Sequence, residues 1–339
     1  MKVVVTGAAG FIGSHTADAL VDVGFDVIGI DSLDPGVHRA APDYLNPRVE
    51  YCFADLRHWN LDDRFNDVEL IVHFAALGGV ARASREPANI IDANCRGTAR
   101  LVEFGRKLKR LQRIVHASSF SVYGSNYSYR CSDCGVTGNG RRREKDMARG
   151  RYEVVCSQCG SDMAVLPIDE NATPNPLETY GASKYMQELC YRGFDRAPVN
   201  IMRFSSAYGT RLRLEDGEAT IIAKLAGWIR ARQAPQLFED GQQIRDWVHV
   251  SDIVATVIAL ASGGDGPPMV NVCSGKPTRL VEACDILAET MRVDCKPKIV
   301  GGYRPGDMRH CLGDATTLRR LIGREPVTFR EGAASAFST

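Results

Sequence analysis

Three glycines near the start of the chain constrain its fold more than any other feature. Gly7, Gly10 and Gly13 follow an apolar run at residues 3–6 and precede a segment of helical periodicity at residues 14–23. A glycine-rich turn from a strand into a helix lets the backbone approach a phosphate group, and the helix N-terminus supplies N–H donors and a partial positive charge. The motif therefore predicts a strand–turn–helix unit that holds a dinucleotide pyrophosphate.

The first 120 residues continue this alternation of strands and helices. Four further apolar runs predict strands at residues 26–30, 49–53, 70–74 and 113–117. Near-continuous apolar strands are typical of a parallel sheet that is covered on both faces. A helix is expected at residues 88–108, and after a break at Gly124 the pattern resumes with a helix at 177–194 and a strand at 199–204. The predicted fold is α/β, a Rossmann-type doubly wound parallel sheet with a smaller α/β lobe.

Three regions follow from this pattern. Residues 1–124 together with 167–210 are predicted to form the dinucleotide-binding domain, and residues 125–166 form an insertion rich in Gly, Arg and Cys. Residues 211–339 are expected to build mainly the smaller lobe. One strand or helix around 245–262 is expected to return to the main sheet.

Composition excludes several classes of protein. A net charge of +1 over 339 residues gives no bulk attraction to nucleic acid or acidic membranes. No run of 18 apolar residues exists, so a transmembrane helix is not expected. The first strand begins after Met1 and Lys2, which leaves no room for a signal peptide and predicts a cytoplasmic protein. In that compartment the 11 cysteines should be thiols or metal ligands.

A carboxylate indicates which dinucleotide is bound. Asp31 ends the second predicted strand, 18 residues after Gly13. There it can accept hydrogen bonds from both ribose hydroxyls and would repel a 2′-phosphate, which favours NAD over NADP. The alternative is that Asp31 only begins a turn with Ser32. Asp55 and Leu56, after the third strand, are expected to meet the adenine.

Tyr180 and Lys184 form the candidate catalytic pair. Their i, i+4 spacing places both on one face of a helix. A free tyrosine has a pKa of about 10, and a neighbouring ammonium and nicotinamide ring are expected to lower it. A pair at this spacing also occurs by chance on exposed helices. The hydroxyls of Ser118, Ser119 and Ser121 support the catalytic interpretation, because ligands bind beyond the carboxyl ends of strands in open α/β sheets.

With these motifs the chain resembles, over nearly its whole length, the extended short-chain dehydrogenase/reductases that act on nucleotide sugars. Further stretches that carry the resemblance are His73-Phe74-Ala75-Ala76, Asn94-x-x-Gly97-Thr98, Arg245-Asp246-Trp247-Val248 and Arg304-Pro305-Gly306-Asp307. The resemblance implies that Ser119, Tyr180 and Lys184 are catalytic. The cofactor-binding residues that we predict are Gly7, Gly10, Phe11, Ile12, Gly13, Asp31, Asp55, Leu56, Ala75, Asn94, Tyr180 and Lys184.

The resemblance also implies a binding site for a nucleotide-diphosphate sugar. Arg245 and Arg304 would hold the diphosphate, and two guanidinium groups suit it by fork geometry and fixed charge. Asp307 would bind the nucleoside ribose. Ser121 and Ser206 are expected at the sugar, although Ser206 replaces an amide that is usual in such enzymes.

The residues after Ser119 indicate the reaction. Related dehydratases carry an Asp-Glu pair there, where this chain has Phe120 and Ser121, and related 3,5-epimerases carry a cysteine at the position of Ser121. Serine has neither the acidity nor the basicity for those steps at neutral pH. The simplest expectation is a 4-epimerase that oxidises the sugar at C4 and returns the hydride to the other face. The alternatives are a nucleotide-sugar dehydratase or other oxidoreductase, and a non-enzymatic NAD-binding sensor.

The insertion carries two Cys-x-x-Cys-Gly motifs. Cys131 and Cys134 form the first motif, Cys156 and Cys159 form the second, and 21 residues separate Cys134 from Cys156. This spacing predicts a structural zinc site of the zinc-ribbon type, with paired disulfides as the alternative that the compartment disfavours. The insertion is expected to act as a lid or an interface element beside the active site. The basic run at residues 141–143 is expected to be a solvated loop rather than a nucleic-acid contact.

The insertion also narrows the resemblance. Together with residues 301–310 it resembles the bacterial dTDP-L-rhamnose 4-epimerase group. Similar enzymes form homodimers by pairing two helices that correspond to residues 88–108 and 177–194 of this chain. A homodimer is expected here by that analogy.

Overall fold

A computed structural model describes residues 1–38, 40–59, 62–214, 220–304 and 307–338. In these residues the strands are, in chain order, β1 Lys2–Thr6, β2 Asp26–Asp31, β3 Glu50–Phe53, β4 Val68–His73, β5 Arg113–Ser119, β6 Ser128–Cys131, β7 Thr137–Asn139, β8 Val154–Val155, β9 Asp162–Val165, β10 Val199–Phe204, β11 Ser206–Tyr208, β12 Gln236–Phe238, β13 Ile244–His249, β14 Met269–Val272, β15 Pro277–Arg279 and β16 Lys298–Gly301.

The helices of the same residues are α1 Phe11–Asp22, α2 Val80–Arg85, α3 Pro87–Ile91, α4 Gly97–Lys107, α5 Glu144–Met147, α6 Thr179–Cys190, α7 Ile221–Arg230, α8 Val250–Ala261, α9 Leu280–Met291, α10 Thr316–Ile322 and α11 Phe329–Phe337. Two 3₁₀ turns lie at Asp63–Phe65 and Phe120–Val122, and a π-helical turn at Asp92–Arg96 joins α3 to α4. The single helix predicted at residues 88–108 is therefore present with a π turn inside it. None of the described helices is long and apolar enough to cross a membrane.

Seven parallel strands form the central sheet, in the order β14-β10-β5-β4-β1-β2-β3. Strand β1 shows why apolar runs predicted such a sheet: Val3 and Val5 face one core with α1 and α8, while Val4 faces a second core with α4. Strand β1 is thus covered on both sides. The predicted Rossmann-type α/β fold is confirmed.

The segment around 245–262 divides between the two parts of the protein, and its helix is the element that lies on the main sheet. Helix α8 packs against α1 over the central sheet, whereas β13 pairs with β11 and β15 in a separate three-stranded sheet. The strand that joins the central sheet is β14, beside β10. The physical reason is that Trp247 of β13 is fully buried in the core of the smaller lobe, between α7, α9 and α11.

The insertion folds as a four-stranded antiparallel sheet in the order β7-β6-β9-β8. It shares a core with the turn after β5 and with the segment that precedes α10, and this core contains Tyr127, Tyr129, Val154, Cys311 and Leu312. The Ile168 N–H also donates to the Leu312 carbonyl at 3.0 Å. The insertion is therefore packed into the body of the protein along this edge.

Candidate active site and metal centre

The glycine turn at the end of β1 is closed by contacts that only glycine permits. Gly7 has a φ of +71°, in the left-handed region, and its N–H donates to the Ile30 carbonyl at 2.7 Å. A Cβ on Gly13 would lie 1.9 Å from the Gly7 carbonyl oxygen. Strand and helix therefore approach each other as closely as their backbones allow, which exposes the α1 N-terminus at the sheet edge.

A cavity of about 460 Å³ opens at this turn. Its wall contains all but one of the predicted cofactor-binding residues, namely Gly7, Gly10, Phe11, Ile12, Gly13, Asp31, Asp55, Leu56, Ala75, Tyr180 and Lys184. The fold thus brings the N-terminal motif and the Tyr–Lys pair, about 170 positions apart, to one cavity. Its size and its phosphate-binding turn suit a dinucleotide.

Asn94 is the predicted cofactor residue that does not line this cavity. It is fully buried, and its amide donates to the Leu77 carbonyl at 3.0 Å and to Ser183 Oγ at 2.9 Å. Its Oδ1 accepts from the Leu77 N–H at 2.7 Å. Because other protein groups already bind the amide, Asn94 joins the loop after β4 to helix α6 and does not face the cavity.

Asp31 and Asp55 lie in the cavity wall with protein partners of their own. Asp31 accepts hydrogen bonds from the N–H groups of Ala9 (3.0 Å) and Leu33 (2.8 Å), so it fixes the turn that follows β2 as well as facing the cavity. Asp55 is paired with Arg57, and that hydrogen bond lowers the pKa of the Asp55 carboxyl. Both carboxylates place acceptor oxygens in the cavity wall.

Tyr180 lines the cavity and is partly buried. Burial, followed by the charge of Glu178, raises the pKa of Tyr180 to about 12, and a hydrogen bond with Ser119 acts in the opposite direction. Burial lowers the pKa of Lys184 to about 8, and its Nζ donates to the Ala117 carbonyl at 2.9 Å. The protein's own groups therefore raise the pKa of Tyr180. Lys184 and a nicotinamide ring together were predicted to lower it.

Ser119 and Ser121 lie next to helix α6. Ser119 ends β5, and its Oγ accepts from the Ser121 N–H at 3.1 Å. The Ser121 carbonyl packs so closely on the helix that a Cβ on Gly181 would lie 2.5 Å from it. This contact holds Ser119 beside Tyr180, as the catalytic prediction requires.

Two carboxylates that sequence reasoning missed hold helix α6 in place. Glu178 caps the helix by accepting from the N–H groups of Tyr180 (2.6 Å) and Gly181 (2.8 Å). Glu188 binds Arg203 of β10 through two parallel hydrogen bonds, of 2.9 and 2.7 Å, and accepts from Ser118 at 2.5 Å. An arginine inside a mostly apolar strand was the available signal, since a buried guanidinium needs a carboxylate partner.

The predicted diphosphate-binding and ribose-binding residues lie on the smaller lobe. We call residues 301–304 and 307–310 the substrate arm; Pro305 and Gly306 of the predicted motif lie outside the described residues. Arg304 is exposed, with its guanidinium carbon 4.9 Å from the centre of the Phe238 ring, and Asp307 is also exposed.

Arg245 and Ser206 lie on neighbouring strands of the smaller lobe, in β13 and β11. Arg245 donates to the carbonyls of Ile244 (2.8 Å) and Arg309 (2.7 Å). The neighbour Asp246, another residue whose role the sequence did not reveal, is fully buried and accepts from Ser274 and from two backbone N–H groups nearby. Burial raises the pKa of Asp246 to about 6.

The four cysteines of the insertion converge on one point. The sulfurs of Cys131, Cys134, Cys156 and Cys159 all lie within 4.8 Å of one another. The distances from Cys131 to Cys159 and from Cys134 to Cys156 are 3.4 and 3.7 Å, and four thiolates around zinc would stand about 3.8 Å apart. The donor set therefore fits a tetrahedral zinc ion, with no open coordination position.

The two cysteine motifs also share one backbone turn. The Gly135 N–H donates to the Cys131 carbonyl, and the Gly160 N–H donates to the Cys156 carbonyl. Both glycines have a positive φ, of +72° and +81°. The repeated turn brings each pair of sulfurs to the same side of the antiparallel sheet.

The comparisons with known proteins agree with this geometry. The model of the NAD dependent epimerase/dehydratase family matches residues 3–137 and 148–273. A putative UDP-glucose 4-epimerase of Methanocaldococcus jannaschii is 34% identical over 293 residues, covering 84% of this chain and 81% of the relative. The dTDP-L-rhamnose 4-epimerase of Burkholderia thailandensis is 27% identical over 336 residues, covering 96% and 90%.

Among solved structures, MoeE5 in complex with UDP-glucuronic acid and NAD superposes with a TM-score of 0.76 at 27% identity, covering 99% of this chain and 98% of that one. The family model spans most of the chain, and the cavity, the glycine turn and the Tyr–Lys pair lie where a dinucleotide-dependent enzyme needs them. The chain belongs to the NAD-dependent epimerase/dehydratase family and is an enzyme.

Proposed function

We propose that the protein is a nucleotide-sugar 4-epimerase that uses NAD. The observation that carries the proposal is the placement of Tyr180 at the NAD-sized cavity with Ser119 beside it and no carboxylate at positions 120 and 121. Two curated relatives named as 4-epimerases support the same reaction.

In this proposal Tyr180 takes the proton of the sugar C4 hydroxyl and later returns it. NAD, when bound, accepts the hydride from C4 and gives it back to the opposite face of the 4-keto sugar. The Ser119 hydroxyl positions the same sugar oxygen, since it already hydrogen-bonds the tyrosine. Ser121 and Ser206 would contact the sugar. The reaction requires only side chains that hold or move a proton at this sugar oxygen, and Tyr180 and Ser119 are of that kind.

The raised pKa of Tyr180 has to be overcome for this chemistry. A phenol with a pKa of about 12 is a poor base at neutral pH, and burial is the main cause of that value. Lys184 keeps most of its positive charge at pH 7, because its pKa remains about 8. Its ammonium lies one helical turn from Tyr180, and together with a cationic nicotinamide ring it would favour the phenolate.

The residues beside Ser119 argue against the alternative reactions. Elimination from a 4-keto sugar needs an acid and a base at the C5 and C6 positions, and Phe120 is buried while Ser121 has no charge. A non-enzymatic sensor would have no use for the Ser119–Tyr180–Lys184 set. A nucleotide-sugar dehydratase or other oxidoreductase is therefore the second candidate.

Arg245 and Arg304 are proposed to bind the diphosphate, Asp307 the nucleoside ribose, and the four cysteines a structural zinc ion. The domain boundaries given above and the cytoplasmic location remain predictions. A homodimer is proposed because Ile91 of α3 and Met186 of α6, on the helices predicted to pair, are each about half exposed, at 50% and 48%. Sedimentation equilibrium that returns a 37.1 kDa species at micromolar concentration would contradict the dimer.

The test is to incubate the purified enzyme with UDP-glucose, UDP-glucuronic acid and dTDP-L-rhamnose, without added NAD, and to follow the sugars by NMR. We expect inversion at C4 of at least one sugar, with no net change in the NAD released on denaturation. A 4-keto-6-deoxy product would favour the dehydratase. No conversion of any sugar by protein that carries NAD would contradict the enzyme proposal for these substrates.

A further inference from the structure

The insertion contacts the substrate arm through a buried cluster of charges centred on Arg309. The Arg309 side chain is 2% exposed. Its guanidinium donates to Glu153 of the insertion (2.9 and 2.7 Å), to Asp240 (3.0 and 2.9 Å) and to Glu239. Three carboxylates from two distant segments thus surround one arginine of the arm.

Arg142 of the insertion makes a second contact with the arm. It donates to the Asp307 carbonyl at 2.6 Å and to Glu239, and its side chain is only 9% exposed. The expectation that residues 141–143 form a solvated loop is therefore wrong for Arg142. The Arg142 guanidinium pairs inside the protein with one carboxylate oxygen of Glu239, and the other oxygen of Glu239 accepts from Arg309.

His310 extends the contact to the strand that carries Arg245. Its Nδ1 accepts from the Ile244 N–H at 3.1 Å, so the ring proton lies on Nε2, which donates to Glu153 at 2.7 Å. Ile244 directly precedes Arg245, and the guanidinium of Arg245 binds the Arg309 carbonyl. Glu153 is thus linked to Arg245 by two short paths, one through His310 and one through Arg309.

We infer that the cysteine insertion positions the substrate arm, with Glu153 and Arg142 as positioning residues that fix Arg245 and the residue 307–310 segment for a nucleoside diphosphate. The inference rests on the proposed function for the class of ligand. The insertion in this view is a fixed support and not a lid that opens and closes.

The location of these two residues connects the cysteine cluster to substrate binding. Arg142 and Glu153 both lie between the second and third cysteines, in a segment whose described regular structure is strand β7, the short helix α5 and strand β8. Glu153 immediately precedes β8, which pairs with β9 at Val154 and Met163. A metal held by the four thiolates would fix both ends of this segment, and hence Glu153 and Arg142.

The charges of the cluster explain why one substitution should move the arm. Two guanidinium groups, of Arg142 and Arg309, face three carboxylates, of Glu153, Glu239 and Asp240. Loss of the Glu153 charge leaves the His310 Nε2–H and two N–H donors of Arg309 with a weaker acceptor in a buried place. The arm is then expected to shift or loosen because buried donors must find new partners.

The test compares Glu153→Gln with Glu144→Gln in the holoenzyme. Glu144 lies in the same insertion and is exposed, so its substitution removes the same charge away from the arm. We expect Glu153→Gln to raise the KM for the nucleotide sugar and the Kd for UDP or dTDP by about 10- to 100-fold, with kcat and the Kd for NAD within about 3-fold of wild type. Glu144→Gln should match wild type in all four constants.

Hydrogen–deuterium exchange gives a readout that does not depend on activity. Peptides that cover residues 307–313 should exchange faster in Glu153→Gln, while peptides from β1 and α1 should be unchanged. Arg142→Gln provides a second variant if Glu153→Gln does not fold, and its effects should have the same direction. Equal diphosphate affinity and equal exchange in the Glu153, Arg142 and Glu144 variants would overturn the inference.

Removal of the metal completes the test. Chelation should reproduce the faster exchange at residues 307–313 and the weaker UDP or dTDP binding, and added zinc should reverse both. If wild type epimerises no sugar but the variants and chelation still weaken diphosphate binding, the proposed reaction fails and the positioning inference stands. If wild type binds neither UDP nor dTDP, or if chelation leaves arm exchange and diphosphate affinity unchanged, the inference is overturned.

Discussion

The cofactor cavity and the substrate arm are built by different means. At the cavity, backbone contacts of glycines separated by a few residues shape the phosphate-binding turn. At the arm, charged side chains meet across large separations, such as Glu153 with Arg309, 156 positions apart. A tight turn depends on local backbone geometry, whereas an ion cluster depends on where the fold brings distant segments.

The difference determines which changes each region tolerates. The glycine turn should fail when atoms are added, because its backbones are already in contact. The arm should fail when charge is removed, because its buried donors and acceptors are matched to one another. Steric substitutions should therefore affect NAD binding, and neutral substitutions of equal size should affect diphosphate binding.

The largest expected effect comes from a residue that belongs neither to the glycine turn nor to the charged cluster of the arm. Tyr180→Phe removes the proposed acid–base group and should lower kcat by about 10²- to 10⁴-fold, with little change in the Kd for NAD. Stopped assays with the best sugar from the NMR test measure kcat, and fluorescence titration measures NAD binding. Turnover that survives in Tyr180→Phe would exclude the tyrosine as the base.

A smaller but still large effect is expected from Gly13→Ala. The new Cβ would lie 1.9 Å from the Gly7 carbonyl oxygen, so strand and helix must separate. We expect weaker NAD binding, by about 10-fold or more, and a loss of stability of about 1–3 kcal/mol. Gly138→Ala is the control, because a Cβ there meets nothing within 4 Å. Similar NAD affinities for the two variants would contradict the steric account of the turn.

The smallest expected effect tests the charge beside the tyrosine. Glu178 raises the pKa of Tyr180, so Glu178→Gln should lower that pKa and increase the phenolate fraction at a given pH. The acid limb of the kcat profile should move to lower pH by less than about one unit. Glu144→Gln is the control, because Glu144 is exposed. Glu170→Gln would not be suitable, because the Glu170 carboxylate accepts from the Asn271 N–H. A limb that stays in place or moves upward would contradict the assignment.

Particular residues show where sequence reasoning succeeded. Apolar strands and the Gly7–Gly13 spacing predicted the central sheet and the cavity, because both depend on patterns within a few residues. The cysteine spacing predicted that four sulfurs would converge, since each motif forms its own turn. The sequence did not decide whether a strand or a helix of residues 245–262 would return to the main sheet, because no local pattern distinguishes the two sheets; helix α8 packs on it, whereas Trp247 of β13 is buried in the smaller lobe's core.

The remaining differences concern polar groups whose partners lie far away in the chain. Asn94 was predicted to face the cofactor, yet its amide binds Leu77 and Ser183. Arg142 was predicted to be solvated, yet it binds Glu239. Lys184 and a nicotinamide ring were predicted to lower the pKa of Tyr180, and among the protein's own groups burial acts in the opposite direction. In each case the outcome depends on which groups surround a side chain after folding.

The sequence by itself determined the parallel sheet, the glycine turn, the spacing of Tyr180 and Lys184 and the two Cys-x-x-Cys-Gly turns, since periodicity and short-range geometry depend on neighbouring residues. Only the tertiary structure decided that the insertion contacts the substrate arm through Arg309, and that Glu188 and Asp246 anchor the site. Buried charges require partners at hydrogen-bond distance, and the complete fold determines which distant residues meet that requirement.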